Sequence, residues 1–184
     1  MSLRSTICRA WFSQRLKAID RFRRHPAETQ ERMFRQLVDR GLGTAFGKRY
    51  GLSAARTPAH FCALVPVFDY DSFKPWIERM VAGERNVAAP GRVGLFARSS
   101  GTTSDRSKYI PVTRESLWWN HTLGMRDLAA LVADANPRTR MFDGKTLTLG
   151  GSCRREGRNL VGDLSALLIH ETAFLSRGIR APRS

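Results

Sequence analysis

The sequence predicts an α/β fold in which N-terminal helices lead into a mixed sheet. Three observations predict it. Apolar residues recur at helical spacing behind proline- and hydroxyl-marked starts through residues 1–90. Short apolar runs of extended character begin only after Gly91. A long amphipathic stretch then separates those runs.

Taken in order, Ile7, the adjacent Trp11 and Phe12, Leu16, Ile19 and Phe22 recur at spacings near three to five, which is one face of a first helix. Pro26 suits the first turn of a second helix, whose stripe is Met33, Phe34, Leu37 and Val38, and Gly41 and Gly43 stop it. The small residues between Gly43 and Thr57 predict a loop anchored by Phe46 and Tyr50. Thr57 before Pro58 is a helix-start signal for a short helix through Leu64. Asp69 or Asp71 caps the next helix, which runs through Trp76, Ile77 and Met80 to Gly83.

Gly91 to Ala97 and Tyr109 to Val112 predict two strands around a polar connection. Thr113 caps a long helix carrying Trp118, Leu123, Leu128, Leu131 and Val132. Lys145 to Leu149 predict a third strand ended by Gly150 and Gly151, and Leu164 to Ile169 a closing helix. Three short strands leave unpaired sheet edges that need cover.

Composition narrows the classes. The chain has 184 residues, 42% apolar and 26% charged, enough to bury a core. Its longest apolar run, Leu128 to Ala133, is far short of the ~18–20 residues that cross a bilayer, so no membrane association is expected. Lys and Arg total 31 against 16 Asp and Glu, a net charge of +15, with 13 basic against 4 acidic residues in 1–60. Such an excess attracts nucleotides, nucleic acid or acidic surfaces, or simply forms a solvated face. The basic residues form no single block and no DNA- or RNA-binding signature is present, so a basic binding or regulatory module without catalysis is the secondary reading. Cys8, Cys62 and Cys153 are far apart with no Cys-x-x-Cys pair, which predicts no structural metal and fits a reducing cytoplasm.

The chemistry concentrates in Ala97-Arg98-Ser99-Ser100-Gly101-Thr102-Thr103-Ser104-Asp105-Arg106-Ser107-Lys108. Hydroxyls and free amides donate to phosphate oxygens, glycine permits close backbone approach, and a lysine adds a mobile point charge. A plain Ser/Thr-rich surface loop has the same composition, but here basic residues flank it and strands are predicted on both sides. It is no Walker A loop, because Ser107 rather than glycine precedes Lys108 and Pro111 pushes Ile110 toward extended geometry. The Gly-x-Ser-x-Gly elbow and the dinucleotide-binding fingerprint are also absent.

Ser99, Ser100, Gly101, Thr102 and Thr103 with Lys108 resemble the phosphate-binding loop of adenylate-forming enzymes. The following Tyr109-Ile110-Pro111-Val112-Thr113 narrows the resemblance to the auxin-responsive acyl-acid amido synthetases, plant enzymes that join hormones to amino acids, and their bacterial relatives. Phe46-Gly47-Lys48, Tyr50-Gly51, Val65-Pro66-Val67 with Tyr70, Pro75-Trp76-Ile77, Arg79-Met80 and Gly83-Glu84 are similar to earlier segments of that family. Leu149-Gly150-Gly151-Ser152 and Gly162-Asp163-Leu164-Ser165-Ala166 are similar to later ones. The match runs from about Arg15 to Pro182 and departs at Asp105-Arg106-Ser107, where many members carry Gly-Lys-Pro.

The resemblance implies an incomplete N-terminal portion of an adenylate-forming large domain. It implies one partial domain over 1–184, mainly helical over 1–90 and α/β over 91–184, with a phosphate-binding loop expected at 98–108 and the C-terminal cap domain expected to be absent. It implies an ATP-dependent acid–amino acid ligase that uses ATP and Mg²⁺, present as a truncated chain expected to be inactive alone. Small carboxylic acid and amino acid substrates and the missing C-terminal part are the implied partners; no nucleic-acid partner is expected. Ser99, Ser100, Gly101, Thr102 and Thr103 would hold the phosphates, and Lys108 would neutralise the leaving pyrophosphate. Gly151 and Ser152 either line an acyl pocket or make a turn. Asp163 is expected to cap the following helix, His121 to be packed or exposed rather than a base, and Trp118 and Trp119 not to share one buried face. His25, His60 and His170 have no assigned partners.

Overall fold

A computed structural model describes residues 3–99, 108–143 and 149–171. Helices α1 (Leu3–Arg24), α2 (Pro26–Gly41), α3 (Ala45–Arg49), α4 (Pro58–Leu64) and α5 (Tyr70–Val81) precede the first strand, with a 3₁₀ turn at Leu52–Ala54. Strands β1 (Leu95–Arg98) and β2 (Tyr109–Val112) follow, then α6 (Arg114–Ser116), a π-helical turn (Leu117–Thr122) and α7 (Leu123–Ala135). Strands β3 (Cys153–Glu156) and β4 (Asn159–Gly162) and helix α8 (Leu164–Glu171) complete the order. The expected architecture, helices and then a mixed sheet, is what forms.

The sheet order is β2-β1-β4-β3, with β1 parallel to β4 and both outer pairs antiparallel. Side chains alternate across a strand, so neighbouring residues enter different layers. Phe96 and Val161 pack with Ile77 and Met80 of α5 in one layer. Ala97, Val112 and Leu160 pack with Leu117 and with Leu167 of α8 in the other. Each fully buried large side chain, Phe96 and Leu167 among them, contributes roughly 1.5–3 kcal/mol.

Local signals explain the starts. Thr57 accepts from the His60 N–H at 3.2 Å, and Asp69, not Asp71, caps α5 by accepting from the Ser72 N–H at 2.8 Å. Thr113 accepts from the Ser116 N–H at 2.9 Å, and the Thr113 N–H in turn donates to Ser116 Oγ at 3.2 Å. The segment expected as a loop after Gly43 holds α3 instead, because Thr44 is buried and accepts from the Gly47 N–H. Phe46 and Tyr50 do anchor it: with Phe68, Phe73 and Trp76 they form an aromatic cluster with centroids 4.7–6.4 Å apart.

Strand β1 begins at Leu95 rather than Gly91, and Arg92 makes an isolated bridge to Arg85. The expected third strand over 145–149 lies outside the described residues except Leu149, which is exposed and not in a strand. The β3–β4 hairpin forms where the sequence predicts no strand, since Arg154, Arg155 and Glu156 give it no apolar run. Its signal was the two-residue turn Gly157-Arg158, where Gly157 takes a φ of 57° that glycine adopts without strain.

Part of the N-terminal charge is engaged inside the chain. Arg9 donates to the carbonyls of Ala133, Asn136 and Pro137 at the end of α7. Arg15 pairs with Asp127 at 2.6 Å, Arg126 lies 4.0 Å over the Trp11 ring, and Arg40 pairs with Glu115. Helix α1 is thereby bound along α7, although Ile7, Trp11 and Phe22 of its predicted stripe stay exposed. Among the described residues no helix is long and apolar enough to cross a membrane.

Candidate functional site

The register Arg98↔Tyr109 carries β1 into β2 through residues 99–108. The Ser99 N–H donates to the Lys108 carbonyl at 3.2 Å, closing the mouth of the connection. Strand β2, not a helix, comes directly after Lys108, unlike a Walker A loop. Ser99 is half-buried at this mouth, while Arg98 and Lys108 are exposed. Ser100, Gly101, Thr102 and Thr103 lie outside the described residues.

Helix α5 supplies the other wall. Its first residue, Tyr70, accepts the Tyr109 N–H on its hydroxyl oxygen at 3.0 Å. The Lys108 ammonium lies 5.0 Å from the centroid of the same ring. Beside it, hydrogen bonds from Ser72 hold the Asp69 carboxyl below the usual carboxylate range, with a small contribution from Lys108. The Tyr109 hydroxyl donates to Glu156 Oε2 at 2.8 Å, linking the two outer strands. That bond, then desolvation and the carboxylate's charge, raises the phenol above its ordinary range. The same bond, followed by Arg154, lowers Glu156. Sequence reasoning assigned Tyr70, Tyr109 and Glu156 no role, because their partners lie 39 and 47 residues away.

Gly151 and Ser152 meet Asp163 and Ser165, so two segments noted separately in the sequence form one turn. The Gly151 N–H donates to Ser165 Oγ at 3.0 Å and the Ser152 N–H to Asp163 Oδ2 at 3.1 Å. Asp163, expected as a helix cap, has this oxygen taken by Ser152. A Cβ at Gly151 would stand 1.7 Å from Asp163 Oδ2, so only glycine fits. Because Ala97 pairs with Gly162 in parallel, this turn and the Ser99–Lys108 mouth leave the sheet at the same end, the carboxyl ends of β1 and β4.

A cleft of about 890 Å³ lies at the other end, where β1 begins and β2 finishes. Leu95, Val112, Thr113, Trp119, Arg158 and His170 are among its lining residues, and Gly151 and Ser152 are not. Trp118 and Trp119 are both exposed, at 43% and 41%. His25 lies 3.4 Å from Glu28, His170 3.3 Å from Glu171, His60 is exposed and His121 half-buried. Among the described residues no group of three or more His, Cys, Asp or Glu is placed to hold a metal ion.

Comparison with known proteins bears on this geometry. The description "GH3 family N-terminal domain" matches residues 15–177. Over 105 residues the chain is 32% identical to indole-3-acetic acid-amido synthetase GH3.8 of Oryza sativa subsp. indica, covering 56% of this chain and 17% of that protein. Over 110 residues it is 30% identical to indole-3-acetic acid-amido synthetase GH3.4 of Arabidopsis thaliana, covering 59% and 18%. The chain thus spans less than a fifth of the length of these relatives. In structure it resembles GH3.15 acyl acid amido synthetase with a TM-score of 0.68 at 18% identity, covering 86% of this chain and 29% of that one.

Proposed function

The chain belongs to the GH3 family, matching its N-terminal domain, and from that premise we propose that it carries the phosphate-gripping part of an ATP-dependent acid–amino acid ligase. In this reading a carboxylate oxygen attacks the α-phosphate of ATP, pyrophosphate leaves, and an amino acid amine then displaces AMP to give an amide. Such chemistry is mainly positioning and charge stabilisation. Ser99, Ser100, Thr102 and Thr103 donate to the phosphates, Gly101 admits them closely, and Lys108 offsets charge on the departing pyrophosphate. The carboxylic acid and the amino acid are the small-molecule partners.

The observation that carries the reading is the Ser99–Lys108 mouth, which stands between antiparallel strands at the carboxyl end of the parallel pair with Lys108 exposed beside it. Arg98 and Lys108 give this mouth two cations, which fits a polyanion. Magnesium would arrive on the nucleotide and supply charge screening to its phosphates. Cys8, Cys62 and Cys153, all free thiols, suit a cytoplasmic setting.

The test is a calorimetric titration of the chain with Mg-ATP and Mg-pyrophosphate, beside Lys108→Ala. The expected result is saturable binding that weakens roughly ten- to a hundredfold in the variant, since a charge-assisted contact contributes ~1.5–3 kcal/mol. No saturable heat, or equal affinities, overturns the reading.

A further inference from the structure

Lys108 is constrained at three points. Its carbonyl oxygen accepts the Ser99 N–H at 3.2 Å in the last rung of the β1–β2 ladder. The next amide along the chain, the Tyr109 N–H, donates to the Tyr70 hydroxyl at 3.0 Å. Its ammonium lies 5.0 Å from the centroid of the Tyr70 ring. Two of the three constraints come from one side chain, distant in sequence and on another element.

Tyr70 is suited to that task. It opens α5 directly after Asp69, whose bonds with Ser72 settle where the helix begins. Its half-buried ring packs against the layer containing Ile77, Met80 and Phe96, so the phenol is held by the core while its hydroxyl and one face reach the loop mouth. Strand β2 lies at the edge of the sheet, and the Tyr70 hydroxyl satisfies a backbone donor that an edge strand would otherwise leave to water.

We propose that Tyr70 is a positioning residue for Lys108, its ring seating the ammonium at the loop mouth and its hydroxyl fixing the adjoining backbone. The proposal rests on the reading of Ser99–Lys108 as an anion-gripping loop. A free lysine side chain has a compact charge on a long flexible stem and must be ordered when an anion binds. A seat over an aromatic face does part of that ordering beforehand. Because the seat is a ring rather than a carboxylate, the charge stays available to the incoming phosphate.

The test is lysine reporter spectroscopy on the full chain. Reductive ¹³C-dimethylation labels Lys17, Lys48, Lys74, Lys108 and Lys145 while keeping their charge, and Lys108→Arg assigns the signal. The expected Lys108 methyl signal lies upfield of the other lysines through the ring current of Tyr70. It should stay there in Tyr70→Phe and join the others in Tyr70→Leu. On unlabelled protein, affinity for Mg-pyrophosphate should fall roughly two- to fivefold in Tyr70→Leu, the fold-change that a cation–π contact at an exposed site implies, and less in Tyr70→Phe.

A wild-type Lys108 signal among the ordinary lysines overturns the proposal, as does an upfield signal that ignores Tyr70→Leu. If Tyr70→Leu does not fold, the wild-type and Tyr70→Phe spectra still decide it. The spectrum reports the seat whether or not any anion binds, so a wild type that ignores pyrophosphate overturns the loop reading separately.

Discussion

Ser152 and Asp163 hold each other twice: the Ser152 N–H donates to Asp163 Oδ2 at 3.1 Å, and the Asp163 N–H donates to the Ser152 carbonyl at 3.0 Å. The pair clamps the entry to β3 against the exit of β4, at the same end of the sheet as the mouth of the hydroxyl-rich loop.

The clamp leaves no room for a side chain at Gly151, where a Cβ would also approach Asp163 Cγ to 2.5 Å. Gly151→Ala is expected to destabilise by about 1–3 kcal/mol, as overpacking does, and Asp163→Ala by about 1 kcal/mol through the lost acceptor. Since the second change removes the atoms the first one meets, the double variant should lose less than the sum of the two. Urea midpoints of the four proteins measure this, and strict additivity would refute the clash.

Arg9 and Arg15 both tie α1 to α7, but by different means. Arg9 meets carbonyls at the end of α7, where orphan acceptors and the helix dipole favour a cation. Arg15 makes an ion pair with Asp127, with side chains 24% and 31% exposed. Substitution by Met keeps the apolar stems, so Arg9→Met should cost about 1–2 kcal/mol and Arg15→Met no more than about 1 kcal/mol. Equal or reversed losses in chemical denaturation would contradict this.

The Tyr109–Glu156 bond should give stability a defined pH profile. Glu156 titrates below its ordinary value, so its contribution is complete above the unfolded value near 4.5 and is lost as pH falls through the lower folded value. Tyr109 titrates above its ordinary value, so its contribution is complete below 10.0 and is lost as pH rises through the higher folded value. The stability difference between wild type and Tyr109→Phe is expected to be about 1 kcal/mol and flat near neutrality, shrinking at both extremes. A difference independent of pH would exclude the bond.

Thr113 starts the helical run after β2 through a reciprocal pair of bonds with Ser116. Thr113→Ala is expected to cost about 1 kcal/mol, lowering Tm by about 2–4 °C in calorimetry. Thr113→Ser should retain most of it, because the hydroxyl carries the interaction.

The sequence by itself determined what depends on near neighbours. Thr57 before Pro58, Asp69 three residues before Ser72, and Thr113 three before Ser116 announce helix starts because a cap and its amide are local in the chain. Pro111 in an extended strand was legible for the same reason, whereas most of the hydroxyl run between Ser99 and Lys108 lies outside the described residues. Only the tertiary structure decided that Tyr70 faces Lys108, that Asp163 takes Ser152 rather than simply capping α8, and that Arg154-Arg155-Glu156 is an edge strand. The reason is physical. These are contacts across tens of residues, made by polar groups whose periodicity is silent and whose partners exist only once β1 and β4 lie side by side.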